Sequence, residues 1–117
     1  MHTFLFKENK EIFQILKGYK KATARNINNN NKNIKVNDYI SMLIGFQQIA
    51  VLKITDIKIS ENISNENANL FKKLGYKTKK QYFSLYPSKK NKKQIIFSFD
   101  VISYDLNKYI ENTKKMW

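Results

Sequence analysis

In Gly18-Tyr19-Lys20-Lys21-Ala22-Thr23-Ala24-Arg25 a helical pattern stops at the first residue and a period-two pattern follows, so a helix gives way to a strand here. Upstream, Glu8 to Lys17 sets Ile12, Phe13 and Leu16, with Ile15 to one side, along a helical stripe. A left-handed backbone costs glycine least, so Gly18 is read as the stop of that helix. From there the side chains alternate: Lys20, Ala22 and Ala24 point one way, Lys21, Thr23 and Arg25 the other. One face therefore offers ammonium, hydroxyl and guanidinium in a row, and Lys20, at the strand end, is free to rotate out of strict alternation. The two alanines predict close packing of a neighbouring element on their side. Arg25 is the single arginine among 22 basic residues. Its planar fork suits bidentate contact with phosphate or carboxylate, which the point charge of a lysine does not offer.

Before that helix, Thr3 to Phe6 reads as a short strand. Asn26 to Asn33, with six asparagines in eight residues, reads as a solvated loop of which no function is expected. Tyr39 to Ile44 is a β-rich run, Gly45 a turn or bulge, and Gln47 to Ile59 a second strand. There Ile49, Val51, Lys53, Thr55 and Ile57 share one face and Ala50, Leu52, Ile54, Asp56 and Lys58 the other, with part of the strand buried on both sides. Ser64 reads as the N-cap of a helix that carries Glu66 in its first turn and ends at Gly75. Thr78-Lys79-Lys80-Gln81 matches a capping box, opening a short helix that Pro87 halts after Tyr86. Gln94 to Tyr104 alternates Ile95, Phe97, Phe99 and Val101 with Ile96, Ser98, Asp100 and Ile102, a strong strand signal. A last amphipathic segment, Asp105 to Lys115, carries Leu106, Tyr109 and Ile110 on one side. This order predicts an α+β class: a small mixed sheet curling into an open β-barrel, with helices covering its ends and lining a cleft.

The 117 residues fit one domain, 1–117. Apolar residues make up 42% of it, including eight Phe and seven Tyr, enough for a packed core. Without cysteine there is no disulfide, thiolate metal site or cysteine nucleophile, and His2 is the only histidine. Histidine-built metal sites and Ser-His-Asp triads lack their parts, so no metal and no cofactor is expected. The longest apolar stretches fall far short of the ~20 residues needed to cross a bilayer. A net charge of +13 attracts polyanions, chiefly nucleic acid. A cytoplasmic protein is expected, with RNA or a nucleotide as partner and no membrane.

A helix ending in glycine, then Lys-x-x-Thr-x-Arg on a strand, then Asp after a polar loop resembles the ASCH domain of the PUA-like superfamily. The family's Gly-x-Lys-x-x-Thr-x-Arg, Gly-Asp step, Glu-Gly-Phe-like segment, Tyr-Pro and Phe-rich last strand find counterparts here. They are Gly18 to Arg25, Asn37-Asp38, Leu74-Gly75-Tyr76, Tyr86-Pro87 and Ile95-Ile96-Phe97-Ser98-Phe99. The resemblance covers most of the chain and implies a β-barrel whose cleft takes RNA or a modified nucleoside. Similar members include small bacterial amidohydrolases that remove the acetyl group of N4-acetylcytidine with a lysine, a threonine and a glutamate. Lys20 and Thr23 stand at the matching positions, but Leu74 stands where the family has glutamate. Glu66 and Glu61 are the other carboxylates of that segment.

Two readings follow. In the first, a basic cleft binds RNA or a nucleotide, with Lys20, Lys21, Thr23 and Arg25 on the backbone and Tyr19 or Tyr76 stacking on a base. Lysines at 72–73, 77–80 and 89–93 would extend the electrostatic track. In the second, a nucleoside amidohydrolase uses Thr23 as nucleophile, Lys20, its pKa lowered by desolvation, as base, and Arg25 as electrostatic support. Cleavage of single-stranded RNA ranks behind both.

Overall fold

The computed structural model describes residues 2–6, 9–105 and 107. Along the chain run β1 (His2–Leu5), α1 (Asn9–Leu16), β2 (Ala22–Arg25), β3 (Tyr39–Ile44), β4 (Gln47–Ser60), α2 (Ala68–Lys73), α3 (Lys79–Leu85) and β5 (Gln94–Tyr104). Of the amphipathic segment expected after β5, all but Asp105 and Asn107 lie outside the described residues. The five strands form one sheet in the order β1-β3-β4-β5-β2. Only the β1–β3 pair is parallel; the others are antiparallel. The sheet curls into an open half-barrel flanked by helices, the fold class read from the sequence.

β1 and β2 are the sheet's two edges, and α1 carries the chain from one to the other. Gly18 ends α1 at φ +82, and the Gln14 carbonyl accepts from both Tyr19 N (2.8 Å) and Lys20 N (3.0 Å). These two hydrogen bonds fix the approach to β2. The stripe of α1 that meets the core is Ile12 and Ile15 with Leu16, whereas Phe13, expected on it, is 46% exposed. Residues three and four apart share a helix face, and Phe13 sits a hundred-degree step away from Ile12.

Inside the curl, Phe4, Ile12, Ile40, Met42, Leu52, Phe97 and their neighbours form the main core. A second cluster lies behind β2 and β5, where Ala22, Ala24 and Ile96 meet Ile63, Phe71, Leu74, Tyr76 and Tyr82. The alanines thus admit the helical layer, as their size predicted. In β4 strict alternation fails, because the pairing with β5 skips Thr55: Ile54 faces Phe99 and Asp56 faces Ser98. An extra residue turns the following side chains over, so Ile54 and Ile57 both pack on the main core. The β3–β4 turn is Gly45-Phe46, with Gly45 at φ +59 and Phe46 fully exposed. Asn37, where the resembled family has glycine, takes φ +76, a conformation asparagine tolerates.

Ser64 is not the cap of α2. It lies in a 3-10 turn, Ile63–Asn65, capped by Asn62, while the Asn67 side chain accepts from Leu70 N at 3.2 Å and starts α2. Two asparagines take the capping work assigned to one serine. Thr78 does cap α3, accepting from Gln81 N at 3.0 Å. Between the helices Gly75 holds φ +99, and a Cβ there would sit 2.9 Å from Gln14 Oε1. Gly75→Ala is expected to cost roughly 1–3 kcal/mol in chemical denaturation, through left-handed strain. An unchanged midpoint would contradict this.

Candidate functional site

Helix α1, the approach to β2, the end of β2 and the turn after α3 converge on one carboxylate, Glu11. Its Oε1 lies 3.9 Å from Lys20 Nζ and accepts from the Tyr86 hydroxyl at 3.2 Å, which itself accepts from Tyr76 Oη at 3.0 Å. Lys20 is 4% exposed, and its ammonium donates to the Leu74 carbonyl at 2.8 Å. Burial is the main force that brings its pKa down to about 8; Glu11 opposes the shift, while Lys89 and Arg25 add to it. A buried ammonium sheds its proton more readily because the charged form loses most on leaving water. Lys89 donates to the Ala24 carbonyl at 2.7 Å; burial, then Arg25, lower its pKa and Glu11 raises it.

Arg25 reaches across the open side of the half-barrel. Its guanidinium lies over the rings of Phe4 (4.6 Å) and Phe6 (5.0 Å), and Nη2 donates to the Leu5 carbonyl at 3.3 Å. Burial lowers its pKa and Glu11 counters that, while Nε is buried without a hydrogen-bond partner. Arg25 lines a cavity of about 460 Å3 with the first strand and the asparagine loop. That loop is not freely solvated: Asn28 Oδ1 accepts from Asn30 N (2.9 Å) and Asn31 N (2.8 Å), and Asn31 is buried. Side-chain amides close turns on their own backbone, which composition alone does not reveal.

The expected row of three groups in one concavity is not what forms. Lys20 lines a separate cavity of about 270 Å3 with Lys17, Lys21 and Asp100, and Arg25 lines the larger one. Thr23, buried, pairs with Phe97 across the sheet and lines neither. Lys21 is exposed and precedes the strand. Lys20 is too buried for open contact with a phosphate. Tyr19, 67% exposed, keeps a free ring, but Tyr76 is 4% exposed and packs edge-on against Tyr82 and Tyr86, so it offers no stacking face.

Leu74 buries its side chain in the second cluster and presents only its carbonyl to Lys20. Neither Glu66 nor Glu61 replaces the family's glutamate there: Glu66 bonds Lys58 and Ser60, and Glu61 pairs with Lys93 at 3.5 Å. The carboxylate beside Lys20 is Glu11, which the sequence reading missed. Its one local signal was an acidic side chain three residues before Gln14, on the helix that runs into the Gly18 stop. Among the described residues no three His, Cys, Asp or Glu side chains gather as a metal site would, and no helix is long and apolar enough to cross a membrane.

No family model matches the sequence, and a search of curated proteins found no relative. In fold the chain is similar to the crystal structure of an ASCH domain from Lactobacillus crispatus, at TM-score 0.69 and 12% identity over 89% of this chain and 81% of that one. It is similar also to an ASCH mutant protein from Zymomonas mobilis, at TM-score 0.61 and 12% identity over 88% and 73% of the two chains. A protein from Enterococcus faecalis described under the family model DUF984 aligns at TM-score 0.63 and 15% identity, over 97% of this chain and 81% of that one. At such identities the likeness is one of fold.

Proposed function

We propose that this ASCH-like fold binds RNA or a nucleotide, with its phosphate received at the Glu11 cluster. The observation that carries this reading is an excess of positive charge: buried Lys20 lies 3.9 Å from Glu11, and half-buried Arg25 and Lys89 both feel that same carboxylate. Buried like charges are costly unless an opposite charge joins them. An entering phosphate relieves that repulsion, and Arg25 Nε is a buried donor still without an acceptor. Titration with a nucleoside monophosphate tests it. Arg25→Gln should weaken binding at least tenfold, the scale of one charge-assisted hydrogen bond. At pH 6, where Lys20 keeps its charge, Glu11→Gln should tighten binding. Wild-type affinity should fall as pH rises through about 8, because Lys20 then loses its proton.

A second reading, deacylation of a modified nucleoside such as N4-acetylcytidine, is favoured by the Glu11–Lys20 distance of 3.9 Å. Glu11 would stand in for the glutamate that Leu74 displaces, and neutral Lys20 would act as the base. The two readings differ in sign. Turnover should rise with pH through about 8 and vanish in Glu11→Gln, the variant that binds a plain nucleotide more tightly. Absence of turnover in the wild type sinks the second reading; nucleotide affinity indifferent to Arg25 and Glu11 sinks the first.

A further inference from the structure

Three adjoining grooves run along α2 and α3, and none is lined by a charged group of the Glu11 cluster. One, about 370 Å3, lies between Tyr19, Lys72 and Lys77. The next, about 410 Å3, shares Lys77 with the first and Lys80 and Ser84 with the third. The third, about 560 Å3, is lined by Phe83 and Pro87 with Lys79 and Lys90. Shared residues join the three into one continuous track.

Two properties of the track specify its occupant. No carboxylate lines any part of it; Glu61 pairs with Lys93, and Glu66 with Lys58 and, through its field, with Lys79 alone of the lining lysines. The remaining positive charge is spaced on the exposed side chains of Lys72, Lys77, Lys80 and Lys90. It also carries an aromatic ring near each end. Tyr19 is open to solvent. Phe83 is partly exposed and held edge-on by Phe71 (5.6 Å) and Tyr82 (5.2 Å), so its ring direction is fixed. Spaced cations with intervening rings suit a chain of phosphates and flat bases, and a ring can take a base only when that base has left a duplex stack.

We infer that the α2–α3 track binds single-stranded nucleic acid, with phosphates along Lys72, Lys77, Lys80 and Lys90 and bases against Tyr19 and Phe83. This rests on the nucleic-acid reading above and adds to it a surface outside the cluster.

The test compares a triple variant, Lys77→Gln, Lys80→Gln and Lys90→Gln, with a charge-matched control, Lys32→Gln, Lys35→Gln and Lys53→Gln. Affinity for a labelled single-stranded oligonucleotide is measured against salt for RNA, DNA and a duplex of the same sequence. The track variant should lose at least tenfold in affinity, and its log-log salt slope should flatten by about 2, since each single-strand phosphate contact contributes about 0.7. Tyr19→Ala should weaken single-strand binding about tenfold with the slope unchanged, because stacking releases no counterion. Equal losses in the control, preference for the duplex, or stronger capture by anionic lipid vesicles or an acidic peptide would overturn the inference. Nucleoside monophosphate binding separates the two proposals: it should survive in the track variant and fail in Arg25→Gln. A wild type that binds the oligonucleotide through the track but no mononucleotide would sink only the cluster reading.

Discussion

Lys20→Met should raise the stability of this protein at pH 7, and that advantage should shrink by about 3 kcal/mol as pH climbs from 8 to 10.5. Burial holds the folded-state pKa of Lys20 at about 8 against an ordinary 10.5. Between those values the unfolded chain binds the proton and the folded chain does not, so wild-type stability rises with pH across that window. Below it the folded state bears the full penalty, about 3 kcal/mol for a difference of 10.5 − 8 = 2.5 units at 1.36 kcal/mol each. Methionine fills a similar volume without a charge, though it leaves the Leu74 carbonyl without its 2.8 Å donor, a loss of about 1 kcal/mol. The quantity to measure is the difference between the two denaturation midpoints at each pH. Tyr82 and Tyr86 also titrate abnormally, with burial pushing both phenols up, but they do so in both proteins and cancel. Parallel stability curves from pH 7 to 11 would mean that the ammonium is hydrated after all.

Phe97→Ala should cost about 3–5 kcal/mol, the usual range for emptying a buried phenyl site. Phe97 is fully buried, its ring 5.3 Å from Phe4, and its backbone pairs with Thr23 on one side and Ile57 on the other. It therefore ties the two edges of the half-barrel to the middle of the sheet. Against a total stability of about 5–15 kcal/mol, such a loss removes from about a fifth to all of it. Thermal unfolding by circular dichroism should show a drop of more than ten degrees. A shift of only one or two degrees would mean that the cavity collapses onto neighbouring side chains.

The fold was legible wherever a pattern is local. β5 could be read because an eleven-residue strand with apolar residues on both faces keeps its alternation from Ile95 to Val101, and α1 because glycine at φ +82 stops it where the apolar stripe runs out. β4 was legible as a strand but not in its facing, since the extra residues Ile49 against β3 and Thr55 against β5 turn its side chains over and no residue type marks them. The cap of α2 was misplaced because Ser64, Asn62 and Asn67 all have capping side chains, and the backbone path chooses among them. Lys20 and Arg25 stand in one short motif, and the sequence pointed to both. Glu11 was hidden because its place beside Lys20 depends on how α1 crosses from one edge of the sheet to the other. That crossing is fixed by the Gln14 carbonyl and by Gln14 Nε2 donating to Gly75 at 2.8 Å, contacts between segments that no spacing rule connects.

The single arginine acts as a clasp. A closed barrel would join its edge strands by a ladder of backbone bonds; here β1 and β2 meet through one guanidinium laid on Phe4 and Phe6 and tied to Leu5. A lysine ammonium would meet these two perpendicular rings as a point charge, without the fork that also reaches the Leu5 carbonyl, so the seam gives arginine a task at this one place that lysine does not fill. A fastening made of charge also differs from a ladder in being shareable: any anion that recruits Arg25 tugs directly on the first strand, so occupancy and seam tightness belong to a single equilibrium.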